Sequence, residues 1–373
     1  MIMDDGYFII QGVPKVVLIQ ESKSRSSMFF TLIDKDVMAE TKLSGSRNTM
    51  RLVYSGEVYI RVLEEGRAKK IHLTDLMSYW DKKGGLENNC LSTAVRFMFE
   101  RCREAKVMSV LSEDPRGDTD RDLYRYFEDY IAGDSTVCKI LCTLLYALSK
   151  CISIKLSTCP PTDRDNHGFK VFHSSGHVVS SLIKRAFSKT SGSLEKRIDN
   201  DLYSVMKTGT IKINNVRRSK MALQAGTRST LDMISSVRRV VVPDDNSLSH
   251  EMRQIHPSQR GFICPSETPE GKQVGLAKSL AMTCVISPRM DDVHDEILLT
   301  SSENPGPWLI LNGTVVGTCR PDTYSLIREL KKKYPYLSVN VDDDQDVMVK
   351  TWERLPHGLW RNRNHLREGY AIL

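Results

Sequence analysis

The chain of 373 residues has no long uninterrupted apolar run. Its longest, residues 137–148, is broken by Lys139 and Thr143 and falls short of the roughly 18 residues a bilayer span needs, so no membrane contact is expected. The opening Met1-Ile2-Met3-Asp4-Asp5 lacks the basic start and apolar stretch of a secretory signal, which fits a protein that stays inside a cell. CxxC pairs are absent as well. The nine cysteines are odd in number and unpaired in spacing, which excludes a disulfide framework or zinc ribbon and predicts buried reduced thiols. Aromatics make up only 7%, but 40% hydrophobic residues suffice for real cores and, with 27% charged, exclude a disordered chain.

At about 100 to 200 residues per domain, this length predicts two or three compact units. The net charge of +7 is modest, but it is unevenly spread. Residues 184–239 hold thirteen Lys and Arg against four acids, a local +9 that exceeds the net charge of the whole chain. A concentrated cationic stretch is the electrostatic footprint of a contact with phosphate backbone, although a solvated basic face has the same composition.

Hydrophobic patterning predicts an α+β, multidomain protein. Residues 6–35 alternate strand-like runs (7–10, 16–19, 28–33) around a Gly12-Val13-Pro14 turn, reading as a small β-meander, and residues 53–62 continue it. Residues 91–111 and 137–152 read as helical. The stretch 159–168, with two prolines and an Asp/Asn/Gly set, reads as a hinge between domains. A cation-rich helix is expected over 178–187, a proline- and glycine-punctuated loop over 243–275, strands over 297–299, 308–316 and 337–341, and a helix over 323–333.

The loop 253–272 is dense in fixed-φ prolines and polar side chains, which orders a long loop without a core of its own. It is not a P-loop: no glycine stands five residues before Gly271 and no Ser or Thr follows Lys272. Asp342, Asp343, Asp344 and Asp346 lack the central glycine and terminal glutamate of a calcium loop and read as a charged turn. His173 and His177 stand four apart, yet no carboxylate or CxxC completes a metal shell. No GxSxG elbow occurs. No metal site and no self-contained active site are therefore expected.

Residues 261–280, G-F-I-C-P-S-E-T-P-E-G-K-Q-V-G-L-A-K-S-L, resemble the G-x-x-C-P-x-E-T-P-E-G-x-x-x-G-L-x-K-x-L signature of the second-largest subunit of multisubunit DNA-dependent RNA polymerases. Ahead of it, R-Q-I-H-P at 253–257 is similar to R-Q-L-H, and I-S-S-V-R-R at 234–239 to L-S-H-L-R-R. Other blocks follow in the family's order. Residues 6–21 resemble G-Y-F-I-I-N-G-x-E-K-V-x-I-x-Q-E, residues 160–170 resemble P-P-D-D-R-D-H-F-G-x-K, and Leu309 to Gly313 with Gly317 resemble V-F-V-N-G-x-W-x-G. The likeness leans to the eukaryotic, archaeal and large-DNA-virus branch and is to the middle of a subunit roughly three times longer.

The resemblance implies these divisions: end of the protrusion (1–35), shortened lobe (36–155), protrusion return (156–200), fork with its E-T-P-E-G loop (201–285) and an external domain (286–373). It implies a part of the active-site wall and nucleic-acid channel for template-directed RNA synthesis, inactive alone. Partners would be the largest subunit, the rest of the second-largest subunit, the DNA template and the RNA transcript. Magnesium would be held by the largest subunit, and the location would be intracellular: host cytoplasm, nucleus or virion if viral. Arg238 and Arg239 would meet template or hybrid phosphates, with Arg228, Gln254, Arg260 and Lys272 also facing nucleic acid. Glu270 would lie near the active site, the competing reading being that it only caps its own loop. The stretch 225–231 departs from the family's longer A-G-V-S-Q-V-L-N-R-Y, so the fork loop is expected to be trimmed. The alternative is a catalytically inert nucleic-acid-binding remnant.

Overall fold

A computed structural model of the chain describes residues 7–24, 27–43, 49–64, 67–82, 124, 127–132, 136–188, 193–213, 216–218, 221–242, 250–284, 297, 301–302, 306–320, 322–334, 337–341, 346–350, 353–354 and 360–361. The expected helical stretch 91–111 and the aspartates 342–344 lie outside these. The chain divides into two units, the first drawn from residues 1–24 and 165–290, the second from 25–164 and 291–361. The change of unit at Arg164/Asp165 falls within the proline-rich stretch read as a hinge.

In chain order, β1 (Phe8–Ile10), β2 (Val13–Val17) and β3 (Ile19–Lys23) open the first unit. Strands β4 (Phe29–Ile33), β5 (Asp36–Thr41), β6 (Met50–Tyr54), β7 (Val58–Glu64) and β8 (Arg67–His72) follow in the second, with α1 (Leu73–Lys82) and α2 (Val137–Lys155). The chain returns to the first unit with β9 (Lys170–His173), α3 (Ser175–Ser188), α4 (Leu194–Thr208), β10 (Ile211–Ile213), β11 (Val216–Arg218), β12 (Ala222–Gln224), α5 (Thr230–Val237), β13 (Arg239–Val241) and β14 (Ala277–Ser279). It ends in the second with β15 (Ser301–Ser302), β16 (Trp308–Leu311), β17 (Thr314–Cys319), α6 (Thr323–Lys333), β18 (Ser338–Val341) and β19 (Val347–Lys350).

The second unit is built on α2. Strands β4 to β8 form an antiparallel meander in sequence order, and β5 alternates half-buried and buried residues as a one-faced strand should. Its inward residues Val37, Leu52, Ile60 and Val62 pack with Leu141, Leu144, Leu145 and Leu148 of α2 in one core. Trp308, Ile310 and Val315, from the second sheet (β15-β17-β16-β19-β18), belong to the same core. A helix enclosed by two sheets is apolar nearly all round. This explains why α2, at 19 residues, is long and apolar enough to cross a membrane although most of its residues are buried within the unit.

Thr143, an interruption by sequence, is a joint in the structure. Its hydroxyl donates to the Lys139 carbonyl at 2.7 Å and accepts from the Val315 amide at 3.0 Å, fastening β17 to the helix. Asp346 is likewise no solvent turn: it is fully buried, accepts from the Trp308 amide at 2.8 Å and faces Lys150 at 3.8 Å. The stretch 308–316, read as one strand, is the hairpin β16–β17. Asn312 and Gly313, both at positive φ, form a two-residue turn of the primed type that matches strand twist. Ile297, read as strand, is helical and buried.

In the first unit the expected meander over 6–35 is divided. Strands β1 and β2 pair through a Gln11-Gly12 turn and are joined by β12, whereas β3 enters a different sheet, β14-β13-β3-β9, and β4 belongs to the second unit. The switch follows Leu18, whose amide donates to the Met221 carbonyl at 2.9 Å and so extends the β2–β12 register by one residue before β3 begins. Strand β3 is central, parallel to β13 and antiparallel to β9, so Ile19, Gln20 and Glu21 are all buried and alternation disappears. Helices α3 and α4 add Val178, Leu182, Val205 and Met206 to a core with Val17 and Met221. Cys151, Cys284 and Cys319 are buried and Cys138, Cys142, Cys159 and Cys264 half-buried, all as free thiols. Burial pushes the thiol of Cys151 up to about 12 and that of Cys284 to about 11.

Candidate nucleic-acid interface

The site is assembled on α5, β13 and β14. Helix α5 starts where Ser229 caps it, its hydroxyl accepting from the Asp232 amide at 3.1 Å, and Gly226 lies against the Asp232 carboxyl so closely that a Cβ there would fall 2.3 Å from it. Met233 and Val237 pack inward with Val16, Leu18, Val241 and Ala277, leaving Leu231 and Ile234 exposed. Strand β13 continues from the helix and pairs antiparallel with β14, Arg239 opposite Ser279. The long loop therefore returns to the strand that Arg239 begins, directly after Arg238 at the end of α5.

That loop is ordered by its own polar groups. The Arg253 guanidinium donates to the carbonyls of Lys272 at 3.0 Å and Val274 at 2.8 Å, clamping the 3-10 turn Gly271–Gln273. The Thr268 hydroxyl donates to the Ala277 carbonyl and accepts from the Gly275 amide, both at 2.9 Å. The Ser235 hydroxyl donates to the Glu267 carboxylate, tying the loop to α5. An isolated bridge between Ile263 and Leu280 closes the base.

A buried charge cluster lies behind it. Glu21 on β3 accepts from Lys278 of β14 at 3.1 Å through one oxygen and meets Lys170 of β9 at 3.3 Å through the other. Burial by itself would raise the Glu21 carboxyl, but Lys278 and Lys170, with His167, outweigh it and hold the group below its ordinary value. His167 is buried, stacked on Phe262 at 5.7 Å and tilted against Phe172 at 5.1 Å, and its ring nitrogens find no hydrogen-bond partner among the described residues. Burial, more than the neighbouring charges, lowers its imidazole to about 4. Its backbone amide donates to the Ser258 hydroxyl at 2.8 Å, which in turn lies 2.6 Å from His256 Nδ1. This joins the R-Q-I-H-P segment to the D-R-D-N-H-G-F-K segment.

The residues singled out by sequence fall into two classes. Arg238 is half-buried and donates to the carbonyls of Leu280, at 3.3 Å, and Ala281, so its guanidinium is largely taken up by the chain's own backbone. Arg228 is exposed and pairs with Asp232 at 3.1 Å, which raises the one group and lowers the other. Arg239 makes no side-chain hydrogen bond among the described residues. Gln254 is exposed, with a 3.4 Å side-chain contact to His250, and Arg260, Glu270 and Lys272 are exposed too. Glu270 occupies the N-cap position of the 3-10 turn without capping it. Sequence reasoning missed Arg253 as a clamp and the Glu21, Lys170, Lys278 cluster; the only signal was that each stands inside a quoted block.

Comparison with known proteins agrees with this geometry. The family described as RNA polymerase Rpb2, domain 3, matches residues 226–286, the segment that holds α5, β13, the loop and β14. The archaeal DNA-directed RNA polymerase subunit Rpo2N of Methanothermobacter thermautotrophicus (strain Delta H) is 32% identical over 150 residues, 35% of this chain and 29% of that protein. The DNA-directed RNA polymerase II subunit RPB2 of Encephalitozoon cuniculi is 27% identical over 241 residues, 55% of this chain and 21% of that protein. A probable RPB2 homologue of Invertebrate iridescent virus 3 is 26% identical over 198 residues, 47% of this chain and 17% of that protein. The chain spans less than a third of the length of each. Over these stretches the chain is similar to a part of the second-largest subunit of DNA-directed RNA polymerase.

Proposed function

We propose that the chain contributes to the active-site wall and nucleic-acid channel of a DNA-directed RNA polymerase, inactive alone and functioning with the largest subunit and the rest of the second-largest subunit on a DNA template and RNA transcript. Phosphoryl transfer depends mainly on positioning and electrostatic stabilisation, so a polymerase needs walls of fixed, correctly charged groups. The observation that carries this reading is the loop 261–280. Arg253, Thr268 and Glu267 hold it, while Glu270 and Lys272 stay exposed on it and Arg239 starts the strand paired with its end. A cation whose side chain makes no hydrogen bond among the described residues is available to a phosphate.

In this reading Arg239, Arg228, Arg260 and Lys272 face phosphates, Gln254 lines the channel, and Glu270 orients groups near the reacting centre. Arg238 holds the carbonyls of 280–281 and so sets the direction in which Arg239 leaves the strand. Among the described residues no three His, Cys, Asp or Glu side chains gather as a metal shell would require. In this reading magnesium is held by the largest subunit, and no step of this chain's own chemistry passes through it. The divisions into protrusion end, lobe, protrusion return, fork and external domain belong to the same reading, as does an intracellular location in host cytoplasm, nucleus or virion.

The test is co-expression with the partner subunits, pull-down of the complex and transcription from a tailed template. Arg239→Ala combined with Glu270→Ala is expected to lower RNA synthesis by at least about tenfold without loss of assembly. Unchanged synthesis, or no association, overturns the reading.

A further inference from the structure

Arg228 stands at a place where a helix does not favour a cation. It directly precedes Ser229, the N-cap of α5, and the first turn of a helix presents the positive end of its dipole. Packing does not account for it either, because its side chain is 89% exposed. Its partner is Asp232: the Arg228 Nε donates to Oδ2 at 3.1 Å and Nη2 to Oδ1 at 3.5 Å, one oxygen to each nitrogen. A phosphate would offer the guanidinium the same two-oxygen grip.

The two partners are held unequally. The Asp232 side chain is 22% exposed, and its backbone is tied on both sides, the amide donating to Ser229 Oγ at 3.1 Å and the carbonyl accepting from Ser236 Oγ at 2.8 Å. The Ser236 hydroxyl also accepts from the Gly226 amide at 3.0 Å, which folds Gly226 over the carboxylate. A Cβ at 226 would fall 2.3 to 2.5 Å from Cγ and both oxygens of Asp232. Gly226 is not at positive φ, so room for this carboxylate is what the structure gives as its reason. The Arg228 hydrogen bond holds the Asp232 carboxyl below its ordinary value, and the charge of Arg239 adds to that. Helix capping explains an acid at this position of α5. It does not explain the arginine brought against it, since an exposed ion pair adds little to stability.

We propose that Asp232 is an internal competitor for phosphate: it occupies the guanidinium of Arg228, and nucleic acid gains that contact only by displacing the carboxylate. The proposal rests on the reading of the chain as a polymerase part and adds the control of one of its cations. A phosphate arriving at Arg228 displaces an anion that stays in the chain, so the release of salt ions that drives phosphate binding is forfeited there. The contact is therefore weak and readily exchanged, which suits a strand that must move along a channel.

The test measures binding of the full chain to a fluorescent DNA duplex of about 20 base pairs over a salt series, with melting temperatures alongside. Asp232→Asn keeps the shape of the side chain and removes its charge. Gly226→Ala does the reverse: it pushes the carboxylate from its seat and leaves the net charge unchanged. Both are expected to bind at least about threefold more tightly at low salt and to steepen the slope of log K against log salt by about 0.9, one added phosphate contact. In an Arg228→Gln background the gain from Asp232→Asn should vanish. If it persists there, the effect is one of general charge and the proposal fails. If neither variant binds more tightly while Arg239→Ala binds more weakly, the competitor is overturned and the polymerase reading stands. If no form of the chain binds the duplex, the proposal fails, and the transcription assay decides the other reading separately.

Discussion

Glu21 and Lys278 stand 257 residues apart in sequence and 3.1 Å apart in the first unit, their side chains only 3% and 9% exposed. Lys170 completes the cluster at 3.3 Å. Glu21, Lys170 and Lys278 come one each from the Q-E, D-R-D and G-L-x-K blocks, so three separate stretches of the family resemblance meet at one carboxylate. Removing a single partner from a buried pair leaves an uncompensated charge, which costs far more than the pair itself contributes. Lys278→Met is expected to destabilise the chain by about 3 to 5 kcal/mol in urea unfolding. Glu21→Gln together with Lys278→Met should recover most of that. A double variant as unstable as the single one would show that the site needs charge rather than shape.

The same cluster makes stability depend on pH in a definite direction. The His167 imidazole is at about 4 in the folded chain, against about 6.5 unfolded. Below 6.5 the unfolded chain takes up a proton that the folded chain refuses, so this contribution is present above that pH and is lost as pH falls towards 4. Glu21, held below its ordinary value, acts in the same direction: its contribution is lost as pH falls through its folded value. Between pH 7 and pH 5 His167 alone should account for a loss of about 2 kcal/mol. His167→Phe, the residue type at that place in the resembling pattern, should flatten this slope. Urea midpoints at the two pH values measure it, and an unchanged slope would place the titration elsewhere.

Much of the fold was legible because periodicity reports burial on one side. Helix α6 lies where the pattern put it, and α3 and β18 differ by a few residues at their ends. What stayed hidden was two-sided burial. Strand β3 belongs to a sheet with apolar clusters on both faces, so Gln20, which alternation from Ile19 would expose, is buried like its neighbours, and Thr143 and Asp346 look polar although each satisfies a backbone amide within a core. The site was legible as a motif but not as a division of labour. Nothing in the adjacent letters of Arg238 and Arg239 distinguishes a residue bonded to Leu280 and Ala281 from one whose side chain makes no hydrogen bond among the described residues.

That division predicts opposite phenotypes for neighbouring substitutions. Arg238→Ala removes charge-assisted bonds to two carbonyls and is expected to cost about 2 kcal/mol of stability. Arg239→Ala should stay within about 0.5 kcal/mol of the unaltered chain in unfolding. In nucleic-acid binding it should weaken affinity across sequences and reduce the salt slope by about 1. Urea melts alongside anisotropy titrations separate the two, and a stability loss at Arg239 equal to that at Arg238 would contradict the assignment.

The glycines at 271 and 275 bracket the motif's second half and have different physical reasons to be there. Both adopt the left-handed conformation, at φ +76° and +73°, so alanine at either position carries about 1 to 2 kcal/mol of backbone strain. Only Gly275 is also crowded: a Cβ there would lie 2.4 Å from the Arg253 carbonyl oxygen and 2.7 Å from its Cα, whereas at Gly271 nothing lies within 4 Å. Gly271→Ala should therefore cost no more than the strain. Gly275→Ala must also push the Arg253 backbone away, and with it the guanidinium that holds the carbonyls of Lys272 and Val274. It is expected to destabilise the loop by at least about 1 kcal/mol more than Gly271→Ala, read as faster amide exchange at Gly275 and Leu276, whose N–H groups bond Thr268 and Gln273. Equal exchange in the two variants would mean that strain alone, and not the fit against Arg253, fixes glycine at 275.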